Sequence, residues 1–296
     1  MSEEKQDDRS CCASCGVAEV DDVKLTDCSA CDIVRYCSDE CQQDHRLKHK
    51  LACRKRAVEL RDELLFRQPE GNHLGDCSIC CLPMPLEITK STVMECCSKT
   101  ICNGCFDAYR MRVMEASLDQ SCPFCRNSML GTEEYDKRRM ERIAANDPVA
   151  LRIEGVDQYK KGDHKSAFDY HAKAAKFGSV EAHYKLALMY NKGHGVEKDK
   201  AKEVHHLEEA AIGGHPEARC LLGGHEIEIG NFGRAVKHWI IAATQGGDDS
   251  IHMLMEMFKL EFVSKEELTV ALRAHRAALN ATKSSQRDAA NRNRDE

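Results

Sequence analysis

Cysteine carries most of the chemistry open to this chain. Of 18 cysteines in 296 residues, 17 lie between Cys11 and Cys125, and only Cys220 falls beyond them. Most are paired. Cys12 and Cys15, Cys28 and Cys31, Cys77 and Cys80, Cys102 and Cys105, and Cys122 and Cys125 are each separated by two residues. At that spacing one turn delivers two thiolates to one metal ion. Cys37 and Cys41, and His49 and Cys53, are separated by three, which places both side chains on one face of a helix. Cys96 and Cys97 are adjacent. Met1 to Ser10 is acidic and polar, with no apolar stretch of a secretory signal. A reducing compartment, cytoplasmic or nuclear, is therefore expected, and there clustered cysteines bind metal rather than form disulfides. Two blocks of eight ligands predict four tetrahedral Zn2+ sites per chain.

Around these ligands the chain divides by composition. Residues 1–10 read as a disordered N-terminus, 11–53 as a first zinc module, and 54–75 as a helix and linker. Leu51, Val58, Leu60, Leu64 and Leu65 lie among charges there, and Pro69, Gly71 and Asn72 end the helix. Residues 76–126 form a second zinc module and 127–147 a helical linker that Asp147-Pro148 closes. From 148 to 282 the chain is rich in Ala, Leu and His with helical periodicity, and 283–296 reads as a disordered polar tail. The fold class expected is a pair of small zinc-stabilised α+β fingers followed by an all-α solenoid. The charge of −6, with pI about 6.2 and mean hydropathy −0.54, argues against a nucleic-acid partner, which calls for clustered Lys and Arg. No run approaches the roughly 20 apolar residues of a membrane span.

The solenoid shows itself as a repeat. Ala174-Ala175, Ala210-Ala211 and Ala242-Ala243 recur at intervals of 36 and 32, and Gly178, Gly214 and Gly246 keep step with them. Ala150, Ala182, Ala218 and Ser250 do the same. Small residues at such a period signal stacked helix pairs whose backbones approach closely. The middle unit, with the turn Lys192 to Asp199 and the run from Tyr190 to Ala218, resembles a Sel1 repeat, a tetratricopeptide-like unit with a glycine-rich turn. Residues 251–279 read as a terminal helix pair, with Ser264 opening the second helix.

The run from Cys28 to Cys53, with Tyr36-Cys37-Ser38 and Cys41-Gln42, resembles a MYND finger over residues 12–53. That family interleaves its sites. The resemblance thus implies one zinc on Cys12, Cys15, Cys37 and Cys41, and another on Cys28, Cys31, His49 and Cys53. His45, four residues before His49 on the same helical face, is the alternative histidine. Arg46 stands where the family usually has Trp, which bears on the capture of proline-containing peptides and not on metal.

The second block ends in Cys122-Pro123-Phe124-Cys125-Arg126 and resembles a RING finger. The family's histidine position is occupied by Lys99, whose ammonium cannot ligate zinc. With Cys96 in its place, one site is Cys96, Cys97, Cys122 and Cys125, and the other is Cys77, Cys80, Cys102 and Cys105. Cys11 and Cys81 are left over. The resemblance implies contacts to a ubiquitin-conjugating enzyme and to ubiquitin through Ile79, Pro123 and Arg126. The chain has no phosphate-binding glycine loop and no hydrolase or metalloprotease motif, so no catalytic nucleophile of its own is expected. His205, His206, His215 and His225 lack partners at ligand spacing and read as surface or interhelical residues. Two functions stay open. One is a RING-type ubiquitin ligase that recruits protein substrates or peptide ligands through the MYND finger and the repeats; the other is a non-catalytic adaptor.

Overall fold

The computed structural model of the chain describes residues 9–128 and 132–295, so most of the expected disordered N-terminus lies outside the described residues. The chain forms two compact units, one ending at Arg67 and the other beginning at Gln68.

In the first unit, strands β1 (Thr26–Asp27) and β2 (Arg35–Tyr36) pair antiparallel and helix α1 (Asp39–Leu65) follows. Ser38 caps α1 by accepting the Cys41 amide, and Asp39 and Glu40 sit in the first turn, where the helix dipole favours negative charge. Among the described residues of this unit few side chains are buried: Cys12, Leu25, Cys28, Cys31 and Tyr36, with His49 and Leu65 on α1. The helix expected after residue 53 begins earlier, at Asp39. The first module and the following helix are continuous, because α1 itself carries Cys41, His49 and Cys53.

The second unit opens with a hairpin of β3 (Ser91–Met94) and β4 (Lys99–Cys102), in register Val93 with Thr100, leading into α2 (Asn103–Glu115). A helical array follows: α3 (Thr132–Ala144), α4 (Pro148–Lys160), α5 (His164–Lys176), α6 (Val180–Lys192), α7 (Lys200–Ile212), α8 (Pro216–Glu228), α9 (Phe232–Thr244), α10 (Asp248–Lys259) and α11 (Lys265–Ala281). Successive helices pack as pairs, α4 on α5, α6 on α7 and α8 on α9. The 127–147 segment is more than a linker. Arg139 of α3 donates to the carboxylates of Glu154 and Asp157 on α4 at 2.5 and 2.6 Å, which makes α3 part of the array.

The repeating small residues have a clear structural use. All six alanines of the Ala-Ala pairs are buried, as are Ala150, Ala182, Ala218 and Ser250. Each Ala-Ala pair also ends its helix. The Gly178 amide donates to Ala175 and the Ser179 amide to Ala174; Gly214 and His215 repeat the pattern on Ala211 and Ala210, and Gly246 and Gly247 on Ala243 and Ala242. This closing motif needs a left-handed residue after the helix, and Gly178, Gly214 and Gly246 have φ of 87°, 86° and 92°. Gly223 serves a different purpose. A Cβ there would stand 2.4 Å from Nε1 of Trp239, the chain's single tryptophan, which is fully buried and donates to the Cys220 carbonyl at 3.1 Å.

The expectation of a disordered tail is overturned. Ser285–Asp295 form a helix, α12, packed along α2. Arg287 is 5% exposed, and its guanidinium donates to the carbonyls of Leu82, Pro83 and Thr282 and to Cys80 Sγ. Gln286 donates to the Gly104 carbonyl at 2.9 Å. Gly104 lets α12 approach, since a Cβ there would lie 2.9 Å from the Arg287 backbone. The segment looked disordered because its composition is polar, yet its burial is achieved by hydrogen bonds more than by apolar area.

Two predictions follow from this packing. Gly223→Ala should destabilise the helical array by about 1–3 kcal/mol, the usual cost of overpacking a well-filled core, read as a lower urea midpoint by Trp239 fluorescence. The second concerns His171, 2% exposed on α5. Burial pushes its imidazole down to about 4, and the Lys185 and Arg152 cations push the same way. The unfolded chain, with histidine near 6.5, therefore takes up the proton first. The stability due to neutral His171 should be complete above about pH 6.5 and be lost as pH falls toward 4. Trp239-monitored unfolding should show that decline in wild type and a flatter profile in His171→Gln.

Candidate zinc centres

Four of the five two-residue cysteine pairs fold into the same turn, while Cys102 and Cys105 open α2. The amide one residue after the second cysteine donates to the carbonyl of the first: Gly16 to Cys12, Asp32 to Cys28, Cys81 to Cys77 and Arg126 to Cys122, at 2.8, 3.2, 2.9 and 2.9 Å. That following residue is left-handed in all four, with φ of 77°, 51°, 55° and 58°. Three of them are not glycine, a conformation that costs energy and persists only where the surroundings enforce it. Cys81 and Arg126 thus occupy turn-closing positions, and Cys81 belongs to no ligand cluster among the described residues.

The structure gathers sixteen donors into four sets, each with its donor atoms within 4.8 Å of one another: Cys12, Cys15, Cys37 and Cys41; Cys28, Cys31, His49 and Cys53; Cys77, Cys80, Cys102 and Cys105; and Cys96, Cys97, Cys122 and Cys125. Sulfurs 2.3 Å from a tetrahedral zinc stand about 3.8 Å apart. The distances here are 3.5 Å for Cys15–Cys37, 3.6 Å for Cys37–Cys41, 3.9 Å for Cys28–Cys53, 3.8 Å for Cys80–Cys102, 3.7 Å for Cys97–Cys122 and 3.4 Å for Cys96–Cys125. A disulfide would require about 2.05 Å, and all 18 cysteines are free thiols. His49 rather than His45 enters the second set, with Nε2 3.0 Å from Cys31 Sγ. His45 Nδ1 instead faces the Tyr36 hydroxyl at 3.2 Å.

The adjacent pair Cys96-Cys97 lies in the turn of the β3–β4 hairpin, where the Cys97 amide donates to the Met94 carbonyl and Ser98 is left-handed. This tight turn points two neighbouring thiols at one site, while Lys99 starts β4 and is exposed. The Cys77 and Cys102 sites alternate along the chain with the Cys96 and Cys122 sites, so two ions would cross-brace a segment whose buried residues are mostly cysteines and a few apolar side chains. Such a segment cannot stabilise itself by apolar burial alone.

Thiol acidity within the sets fits a divalent cation. Burial opposes ionisation of Cys12 and Cys77, but backbone amides of Cys15, Cys37 and Ser14 hold the first at about 6, and amides of Cys102, Cys80 and Ile79 hold the second there. Cys37 is pushed up to about 12 by hydrogen bonding with Cys15, Cys41 and Cys12. Burial and its neighbours Cys31 and Cys28 push Cys53 up to about 12. Burial, with the Cys122 and Cys125 charges, pushes Cys97 up to about 11. Beside a thiol that ionises readily stand others, such as Cys37, Cys53 and Cys97, that resist, a state a Zn2+ ion relieves by binding thiolates. The donor sets fit four zinc ions in closed structural sites.

The ligand assignment has a direct check in zinc counts on purified protein. Cys96→Ser, Cys97→Ser and His49→Ala should each lower zinc content by one ion relative to wild type. Lys99→Ala and His45→Ala should leave it unchanged. Zinc retained in Cys96→Ser would reassign that site.

Comparison with known proteins agrees on two of these regions. Residues 12–53 match the MYND finger family, and residues 153–178, 180–215 and 218–247 match the Sel1 repeat. An uncharacterised protein of Neisseria meningitidis serogroup B is 33% identical over 90 residues, 30% of this chain and 19% of that protein. The chain thus spans about a fifth of the length of that curated relative. Among solved structures, a Sel1 repeat protein from Oxalobacter formigenes aligns with TM-score 0.44 and 23% identity, over 53% of this chain and 67% of that one. A protective antigen of uropathogenic Escherichia coli displaying an SLR fold aligns with TM-score 0.37 and 17% identity, over 64% of this chain and 40% of that one. The chain therefore carries a zinc-binding MYND finger at 12–53 and three Sel1 repeats between 153 and 247, both of them protein-interaction modules.

Proposed function

We propose that the chain is a zinc-braced ubiquitin ligase. The finger at 76–126 docks a ubiquitin-charged conjugating enzyme, and the MYND finger and Sel1 repeats recruit the protein substrate. The observation that supports this reading is the surface offered by the two outer zinc turns. Ile79, inside the first, is 46% exposed although apolar. Pro123, inside the last, is half-buried, and Arg126 directly after it is exposed. In a RING-like finger these positions supply an apolar anchor and a cation. The work they do is orientation: holding a thioester in its reactive geometry lowers the barrier without any nucleophile from this chain. Reduced, zinc-ready thiols suit a cytoplasmic or nuclear setting.

A second reading, a non-catalytic adaptor, is favoured by α12. This helix lies along α2, so part of the finger's central helix is already covered by the chain itself. Here the zinc modules would only present surfaces to protein partners.

Discharge of ubiquitin from charged conjugating enzymes by the full chain separates the two. Ile79→Ala removes an apolar anchor, commonly about 2 kcal/mol or more at an interface. Arg126→Ala removes a charged donor of about 1.5–3 kcal/mol, or roughly a ten- to hundredfold slower discharge. Enzyme binding should weaken in the first variant and hold in the second, with zinc content equal to wild type in both. No acceleration by wild type across a broad panel, or full activity in both variants, would leave the adaptor.

A further inference from the structure

Outside the fingers, one further set of potential ligands comes together among the described residues: His73, Glu181 and His215, whose donor atoms also lie within 4.8 Å of one another. The three come from separate places. His73 precedes the second finger, Glu181 sits in the first turn of α6, and His215 caps α8. None is at ligand spacing from another, which is why the sequence did not show the cluster. All are enclosed, with side-chain exposures of 6%, 17% and 3%.

The ligand atoms lie close together, and the His73 and His215 rings stack with centroids 4.1 Å apart and planes 14° apart. Glu181 Oε2 lies 3.0 Å from His215 Nε2 and 3.3 Å from His73 Nε2. Nitrogen and oxygen ligands 2.0–2.1 Å from a tetrahedral zinc stand about 3.3 Å apart. The other carboxylate oxygen, Oε1, is held by Lys185 at 2.9 Å, so Oε2 is left for the two imidazoles. His215 Nδ1 is 3.0 Å from Glu217 Oε2. Nδ1 also lies 3.3 Å from the Ala218 amide, which it caps, so a cation bound at Nε2 would take the place of the ring proton that faces Glu181. A carboxylate behind a histidine is also the usual outer partner of a metal-bound imidazole. His73 Nδ1 is buried with no hydrogen-bond partner among the described residues, so the polar bonding of that ring passes through Nε2.

The backbone is built to present His73 here. Its amide donates to the Gly214 carbonyl at 3.0 Å, and the Gln245 side-chain amide bridges the carbonyls of Gly71 and Gly214, each at 3.0 Å. A Cβ on Gly214 would come within 3.0 Å of the Gly71 carbonyl. The approach of this segment to the α7–α8 turn thus depends on that glycine.

We propose that His73 Nε2, His215 Nε2 and a Glu181 carboxylate oxygen bind a further Zn2+, with water as fourth ligand, and that this ion ties the segment entering the second finger to the helical repeats. Two imidazoles and one carboxylate suit zinc, and the bond is N/O-only, unlike the sulfur-rich finger sites.

The test uses the full chain with its finger sites loaded with zinc, to which Co2+ is then added. One further equivalent should bind, giving weak visible absorption without the intense near-ultraviolet band of thiolate-to-cobalt charge transfer. Glu181→Gln and His215→Gln should each abolish it. Far-ultraviolet circular dichroism and Trp239 fluorescence must match wild type for each variant; His73→Gln, on a segment outside the repeats, is read in the same way should either repeat variant fail to fold. A folded wild type that takes up no sulfur-free equivalent, or variants that keep it, would overturn the proposal. A sulfur-type band from the added ion would place it in the fingers and overturn it equally. Because the signature is free of sulfur, its presence or absence does not depend on the finger assignments or on ligase activity.

Discussion

Four thiolates, or three with an imidazole, brought within 4.8 Å of one another carry more negative charge than a protein interior can hold without a cation. Both finger segments, 12–53 and 77–125, are arranged around that constraint. The strands there are two to four residues long and bury only Tyr36, Met94, Ile101 and the ligand Cys102, while the other side chains buried with them are mostly ligand cysteines. Zinc replaces the apolar area that such short segments lack, and metal binding and folding become one event. The four turns with a left-handed closing residue are its local expression: the strain at Asp32, Cys81 and Arg126 persists because the ligands on either side hold the backbone there.

The helical repeats solve the same problem of stability by contact instead of charge. Alanine pairs allow neighbouring helices to approach, and their carbonyls receive the amides that end each helix. One dipeptide thereby serves packing and termination together, which accounts for its regular recurrence. Departures from the small-residue rule sit where a large side chain needs the room. Gly223 opposite Trp239 and Gly155 opposite His171 both leave space for a buried ring, and a Cβ at Gly155 would stand 2.8 Å from the imidazole.

Within the second unit, finger and repeats are joined by more than chain connectivity. Ser98, at the ligand-bearing hairpin turn, donates to Asp147 at 2.7 Å and accepts from Arg142 at 2.8 Å. At the other end of the unit α12 returns to α2, and Arg287 reaches Cys80 Sγ at 3.3 Å. A cation donating to a ligand sulfur offsets part of its negative charge and fixes its orientation, so the C-terminal helix acts on the zinc site as well as on the fold. The finger's surroundings are set by residues far from it in sequence.

What the sequence determined alone was whatever repeats locally. Ligand pairs two or three residues apart, an alanine–glycine pattern with steps of 32 and 36, the break at Asp147-Pro148 and the helix start at Ser264 each arise from one or two turns of backbone. Residue type and spacing therefore suffice to read them. Tertiary structure alone decided that Ser285–Asp295 is a helix packed on α2 with Arg287 and Ala290 buried, that α1 runs unbroken through the first finger, and that His73, Glu181 and His215 meet. These depend on contacts between distant segments, which leave no period in the sequence. They also rest on polar side chains such as Arg287, whose burial is stabilised by carbonyl and sulfur acceptors that composition does not reveal.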